Sequence, residues 1–198
     1  MAKEVEGHVG RRMTITVFGS SLPPEGTIAY QEAHALGRAL AGGGFAVCNG
    51  GYGGLMEASA RGAREASGHT IGVTCSIWSR PANPWIVEEV RTASFPERLM
   101  TLITRGDAYV VLPGGTGTLA ELALAWEMMN KSALSATVGG KRPLLLLGAY
   151  WQPVIDCLQQ EPRLAALGPD RHLAAMDLIT IVPGAQEAAE ALSALTPL

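Results

Sequence analysis

A carboxylate, a guanidinium and two runs of glycine are the groups in this chain whose types and spacing could do chemistry. The stretch "VVLPGGTGTLAEL" (110–122) passes from an apolar run through Pro113, Gly114, Gly115 and Gly117 into a Leu/Ala-rich segment containing Glu121. Without Cβ atoms, consecutive backbone N–H groups can converge on a small anion. A helix that starts there adds about half a positive charge. Thr116 and Thr118 offer hydroxyls. A second run, "NGGYGG" (49–54), repeats the arrangement earlier in the chain. One such run reads equally well as a tight strand-to-helix turn. Two on one edge point to a phosphate or a nucleotide.

Positioning these groups falls to elements that alternate along the chain. Apolar, β-prone runs occupy 13–18, 45–48, 70–74, 107–112, 143–147 and 178–182, and a weaker one lies in 87–91. Helical periodicity covers 28–41, 55–67, 94–105, 118–133, 151–160 and 185–195. Strands with little polar alternation, separated by helices, predict an α/β fold. It is Rossmann-like and doubly wound, with a mainly parallel sheet of about seven strands and helices on both faces. Ligands bind outside the carboxyl ends of such strands. That edge would carry "GSSLPPEG" (19–26), "NGGYGG", a Pro/Trp-containing loop (75–93) and "PGGTGT" (113–118). Residues 1–12 read as a polar tail and 13–198 as one nucleotide-binding domain. The Gly/Ser/Thr-rich stretch 132–142 is expected to be mobile.

Composition narrows the function classes. Hydrophobic residues make up 47% and charged residues 17% of 198, which suits a packed core. A net charge of −3 offers no basic field for nucleic acid. No run of about 18 apolar residues predicts a membrane span, so a cytoplasmic protein is expected. Cys48, Cys75 and Cys157 have no metal-ligand spacing and read as packed, reduced thiols. No cofactor or metal is expected. His34 and His172 read as surface or helix-face residues. Trp126, Met128 and Met129 read as core or interface.

Gly115-x-Gly117-x-x-Ala120 loosely fits a dinucleotide fingerprint, but the acid expected about 20 residues later is missing. GxxxxGK[ST] is absent. Thr118 and Glu121 have the spacing of a capping box, as do Ser94 and Glu97. Glu57 is spaced to pair with Arg61 at i+4. Arg98 falls in the first turn of a helix, where a cation opposes the dipole; it reads either as a solvated arginine or as the partner of an anion or carboxylate nearby.

"LPGGTGTLAE" (112–121) resembles the PGGxGTxxE signature of the LOG family, long described as lysine decarboxylase-like. "FGSS" (18–21) and "GGYGGLM" (50–56) resemble its first two loops, and Arg98 falls where the family carries an Arg-Lys pair. The resemblance implies a Rossmann-like homodimer. It implies hydrolysis of cytokinin riboside 5′-monophosphates, and often AMP, to free base and ribose 5-phosphate. Gly19, Ser20, Ser21, Gly50, Gly51, Gly53, Gly54, Met56, Gly114, Gly115, Thr116, Gly117 and Thr118 would then hold the phosphorylated ligand. Arg98 and Glu121 would be the catalytic pair. Three positions depart from the pattern: Leu99 replaces the lysine, and Asn49 and Glu57 replace glycines of the second loop. The wider superfamily includes molybdenum cofactor carriers, so a non-catalytic carrier of a phosphorylated cofactor is the alternative.

A carboxylate near ribose C1′ would stabilise the positive charge that develops as the bond to the base breaks. Arginine is too basic, with a pKa above about 12, to be an ordinary general acid there. Trp78 or Trp85 could stack on a purine.

Overall fold

The computed structural model describes residues 12–131, 142–160 and 175–194. In chain order these form β1 (Thr14–Phe18), α1 (Ile28–Gly42), β2 (Ala46–Asn49), α2 (Leu55–Glu65), β3 (Thr70–Cys75) and β4 (Glu88–Thr92). Then come α3 (Phe95–Arg105), β5 (Ala108–Val111), α4 (Thr116–Asn130), β6 (Leu144–Leu147), α5 (Gln152–Gln159), β7 (Ile179–Val182) and α6 (Ala185–Ser193). All strands pair in parallel, in the order β4-β3-β2-β1-β5-β6-β7.

The apolar runs are continuous because both faces of the sheet are covered. Side chains alternate across a strand. Ile15 and Val17 of β1, with Val110 of β5, pack against Leu36 and Leu40 of α1, Leu55 of α2 and Leu192 of α6. Phe18, Tyr109 and Val111 point the other way, against Ile103 of α3, Leu122 and Trp126 of α4 and Ile155 of α5. Met128 and Met129 pack on that second cluster, and the Trp126 Nε1–H donates to the Ala175 carbonyl at 2.7 Å. Trp126 is therefore core. Helix starts follow local chemistry: Thr27 Oγ1 accepts from the Tyr30 N–H, and Ser94 Oγ accepts from the Glu97 N–H.

Two expectations, for the start of α4 and for Cys157, are corrected. As the irregular reading of 75–93 expects, no helix joins β3 to β4, which lie side by side; the Pro/Trp segment makes the crossover itself. Ile86 packs where a Cβ on Gly72 of β3 would sit, so glycine lets the loop lie on the strand. Helix α4 begins at Thr116, two residues before the pattern predicts, with Gly115 as its N-cap and no side-chain cap. Thr118 and Glu121 thus form no capping box, because the exposed glycines already turn the chain. Cys157 is exposed, because α5 buries only Ile155, whereas Cys48 and Cys75 are buried. Burial pushes the Cys48 thiol up to about 12. The expectations for 1–11, for 132–141 and for His172 lie outside the described residues. No described helix is long and apolar enough to cross a membrane.

Candidate functional site

β1 and β5 are neighbours, and the chain leaves them toward opposite faces of the sheet, β1 into α1 and β5 into α4. Their carboxyl ends therefore open a crevice. A cleft of about 550 Å³ lies there.

Each predicted loop has a definite place around this cleft. Gly19, Ser20 and Ser21 line it from the end of β1, and Met56 lines it from α2. Gly115, Thr116, Gly117 and Thr118 line it from the start of α4. A Cβ added at Gly115 or Gly117 would meet nothing. The N–H groups of Thr116, Gly117 and Thr118 have no acceptor among the described residues, as expected of an uncapped first turn. Gly114 stands behind this turn, where a Cβ would collide with the Thr118 side chain. Its carbonyl accepts from the Tyr150 hydroxyl at 2.9 Å.

The second glycine run is built differently. Gly50, Gly51, Gly53 and Gly54 stand behind the cleft wall rather than on it. Asn49, where the family pattern has glycine, ties the run together. Its Nδ2 donates to the Met56 carbonyl at 2.9 Å and to Ser59 Oγ at 3.2 Å, and its Oδ1 accepts from the Gly51 N–H at 2.8 Å. Gly54 has φ +67°, and the next amide, Leu55 N–H, donates to the Ser20 carbonyl at 2.8 Å. The first amide of α2 is thus taken by the protein's own backbone.

Glu121 and Arg98 meet. Arg98 is 5% exposed and Glu121 9% exposed. Arg98 Nη1 stands 3.7 Å from Glu121 Oε1, an ion pair without a tight hydrogen bond. The other guanidinium donors are committed: Nε to the Val73 carbonyl at 2.8 Å and Nη2 to the Gly50 carbonyl at 3.0 Å. The guanidinium also lies under the Tyr52 and Trp78 rings, 5.6 Å and 5.4 Å from their centroids. Burial pushes the Glu121 carboxyl up to about 7, and the pull of Arg98 opposes this only in part. Glu121 is therefore poised to hold or release a proton near neutral pH.

Glu57, at the third departure, accepts from the Tyr30 hydroxyl at 3.4 Å. Arg61 pairs instead with Glu25 at 2.6 Å and Glu65 at 3.0 Å, so the 57–61 pair that the i+4 spacing allows does not form. Longer reach explains this, since Arg61 spans from α2 to the first loop. His34 contacts Glu65 at 2.8 Å on the helix surface. Among the described residues no three His, Cys, Asp or Glu side chains cluster as a metal site.

Trp78 lines the cleft, but Trp85 does not. The Trp85 carbonyl accepts from the Thr70 hydroxyl at 2.6 Å, at the opposite end of β3, and its ring faces Arg61. Four lining residues were not singled out from the sequence: Leu22, Tyr52, Arg80 and Phe95. Tyr52 sits inside "NGGYGG" and Phe95 inside the Ser94/Glu97 turn, where the glycine and capping patterns drew attention elsewhere.

A parallel sheet with a cleft at its switch point, an open helix start and a buried Glu–Arg pair give the chain a Rossmann-like α/β architecture. A model of the SLOG cluster4 family matches residues 12–139, and the chain belongs to that family. It is 35% identical over 116 residues to a cytokinin riboside 5′-monophosphate phosphoribohydrolase of Mycobacterium tuberculosis, covering 57% of this chain and 62% of that one. The match thus spans less than two thirds of that relative. A protein of the same name from Rhodococcoides fascians is 28% identical over 152 residues, 74% of each chain. Among solved structures, the molybdenum cofactor binding protein of Rippkaea orientalis superposes with a TM-score of 0.71. It has 22% identity and covers 93% of this chain and 98% of that one. That likeness establishes the fold.

Proposed function

We propose that this chain hydrolyses the N-glycosidic bond of a nucleoside 5′-monophosphate, AMP or a cytokinin riboside monophosphate, releasing free base and ribose 5-phosphate. The observation that carries the reading is Glu121: a buried carboxyl, raised to about 7, beside Arg98 and less than two turns into the helix whose open start lines the same cleft. The phosphate takes the amides of Thr116, Gly117 and Thr118, with the Thr116, Ser20 and Ser21 hydroxyls in reach. Gly19, Gly115 and Met56 shape this end of the cleft. Gly50, Gly51, Gly54 and Gly114 let the backbone pack closely behind it.

The bond from C1′ to the base nitrogen breaks with its electron pair leaving on the base. Positive charge grows on the ribose, and the Glu121 carboxylate stabilises it. Water adds its oxygen to C1′ and gives a proton to Glu121, which passes a proton to the departing base. Arg98 keeps Glu121 in place and holds the second glycine run through Gly50.

Leu99, half-buried on α3 where the family pattern has lysine, leaves the site one cation short. That favours a second reading, a carrier that binds a phosphorylated cofactor such as the molybdenum cofactor and leaves it whole. Incubation with AMP and N6-substituted AMP decides between them. Free base released in a Glu121-dependent way supports hydrolysis. Tight binding of a phosphorylated pterin, with every monophosphate intact, supports the carrier. The proposal includes a homodimer in the cytoplasm, with exposed Met100 of α3 and Leu119 of α4 among the apolar groups a partner copy would cover. Sedimentation velocity reads that pairing.

A further inference from the structure

We infer that the segment Trp78–Arg80 reads the base of the ligand and favours a fused pyrimidine ring bearing an oxo group over a 6-aminopurine. This rests on the nucleotide-binding reading above and narrows its substrate class.

The rings lining the cleft are those of Tyr52, Trp78 and Phe95. They are fixed before any ligand arrives. Tyr52 Oη accepts from the Cys75 N–H at 2.9 Å, pinning its ring to the end of β3. Trp78 meets Tyr52 edge-on at 5.7 Å and Phe95 at 5.9 Å, and the Arg98 guanidinium lies against its ring. A half-buried tryptophan held on three sides is a rigid platform for a planar heterocycle.

The segment that bears it is pinned at both ends. The Trp78 N–H donates to the Cys75 carbonyl at 3.2 Å. Downstream, the Asn83 N–H donates to the Gly51 carbonyl at 2.8 Å, and Asn83 Nδ2 donates to the Tyr52 carbonyl at 2.9 Å. Arg80 lies between these pins and lines the cleft. It makes no hydrogen bond or ion pair among the described residues, unlike Arg98, whose Nε and Nη2 are taken by Val73 and Gly50. Arg80 is therefore the cleft cation with donors to spare.

Arginine has five N–H donors and no acceptor. It pairs in bidentate fashion with an oxo group beside an acceptor nitrogen, as on the N7/O6 edge of guanine. Adenine presents an amino donor at the same place, which faces a guanidinium without a bond. The favoured ligands are then GMP and IMP rather than the aminopurine nucleotides that the family resemblance implies. A phosphorylated pterin carries the same oxo-and-nitrogen edge.

The test is calorimetric titration of GMP, IMP and AMP into the full chain carrying Glu121→Gln, with and without Arg80→Met. Initial rates on the unmodified chain run alongside. IMP and GMP are expected to bind about tenfold or more tighter than AMP, the scale of one hydrogen bond to a charged group. Arg80→Met is expected to erase that preference and leave AMP within about twofold. Trp78→Ala is expected to weaken all three. Equal loss for AMP and IMP on Arg80→Met would place Arg80 on the phosphate and overturn the inference, as would equal affinities in the parent. Absence of base release, with the oxopurine preference intact, would remove hydrolysis and keep the inference. A phosphorylated pterin that binds with the same Arg80 dependence would also keep it and move the source of the ring to a cofactor.

Discussion

The two glycine runs look alike as text and differ in how far they are tied into the protein. In 49–54 the Gly51 amide and the carbonyls of Gly50, Gly51 and Tyr52 are bonded inside the protein, by Asn49, Arg98 and Asn83, and the next amide, Leu55 N–H, is taken by the Ser20 carbonyl. In 113–118 the first amides of α4 stand at the cleft with no acceptor among the described residues, and Gly115 and Gly117 have open space where a Cβ would go. Glycine serves close packing in the first case and access in the second. A glycine-rich turn at a helix start is therefore an anion site only when its amides are left without partners. The internally bonded run still matters, because it anchors Arg98, and Arg98 faces Glu121.

The largest expected effect sharpens the chemistry on the open side. Glu121→Gln should lower turnover about 10²–10⁴-fold, roughly 3–5 kcal/mol of barrier, with the chain still folded by circular dichroism. Full turnover in this variant would make Glu121 a packing residue.

On the closed side the effect should fall on stability. Gly54→Ala forces a left-handed φ on alanine and drives its Cβ into the Ser21 backbone. A loss of about 3 kcal/mol in denaturant unfolding is expected. A variant as stable as the parent would show that the second run is as loose as the first.

The buried carboxyl gives a pH signature. The folded chain keeps the Glu121 proton up to about 7, whereas the ordinary carboxylate value is 4.5. The folded state thus binds more protons between those values, and the contribution of this group to stability falls as pH rises through them. The fall is on the order of 3 kcal/mol. Thermal melts of the parent at about pH 4.5 and pH 8 should show it, and Glu121→Gln should flatten it. A slope that persists in the variant assigns it to other groups.

A smaller effect separates ligand from fold. Gly117→Asp puts a carboxylate at the open start of α4, where it should add about 0.3–1 kcal/mol to the helix through the dipole. Monophosphate affinity should drop about tenfold or more, because like charges then compete for one site. Unchanged affinity would place the anion elsewhere.

Much of this was legible in the residues. Uninterrupted apolar strands announced a sheet covered on both faces, and the edge that gathers 19–21, 56, 98, 115–118 and 121 followed from parallel topology. The start of α4 was not legible, because Thr118 and Glu121 mimic a capping box while exposed glycines begin the helix earlier. The bare crossover from β3 to β4 was legible as the Pro/Trp loop 75–93, but its packing, Ile86 against a glycine fourteen residues away, was not. The burial of Arg98 depends on two carbonyls, Val73 and Gly50, that are distant in sequence and carry no side-chain signal. Arg80 gave no signal, since a lone arginine beside a proline is ordinary surface composition.

The central claim is that the first amides of α4 are the anion site and those of the second run are not. Titration of a monophosphate into isotopically labelled protein, followed by amide NMR shifts, tests it most directly. The account predicts large, saturable shifts at Thr116, Gly117 and Thr118 and small ones at Gly50, Gly51 and Leu55. Saturable shifts centred on the second run, with α4 silent, would contradict it.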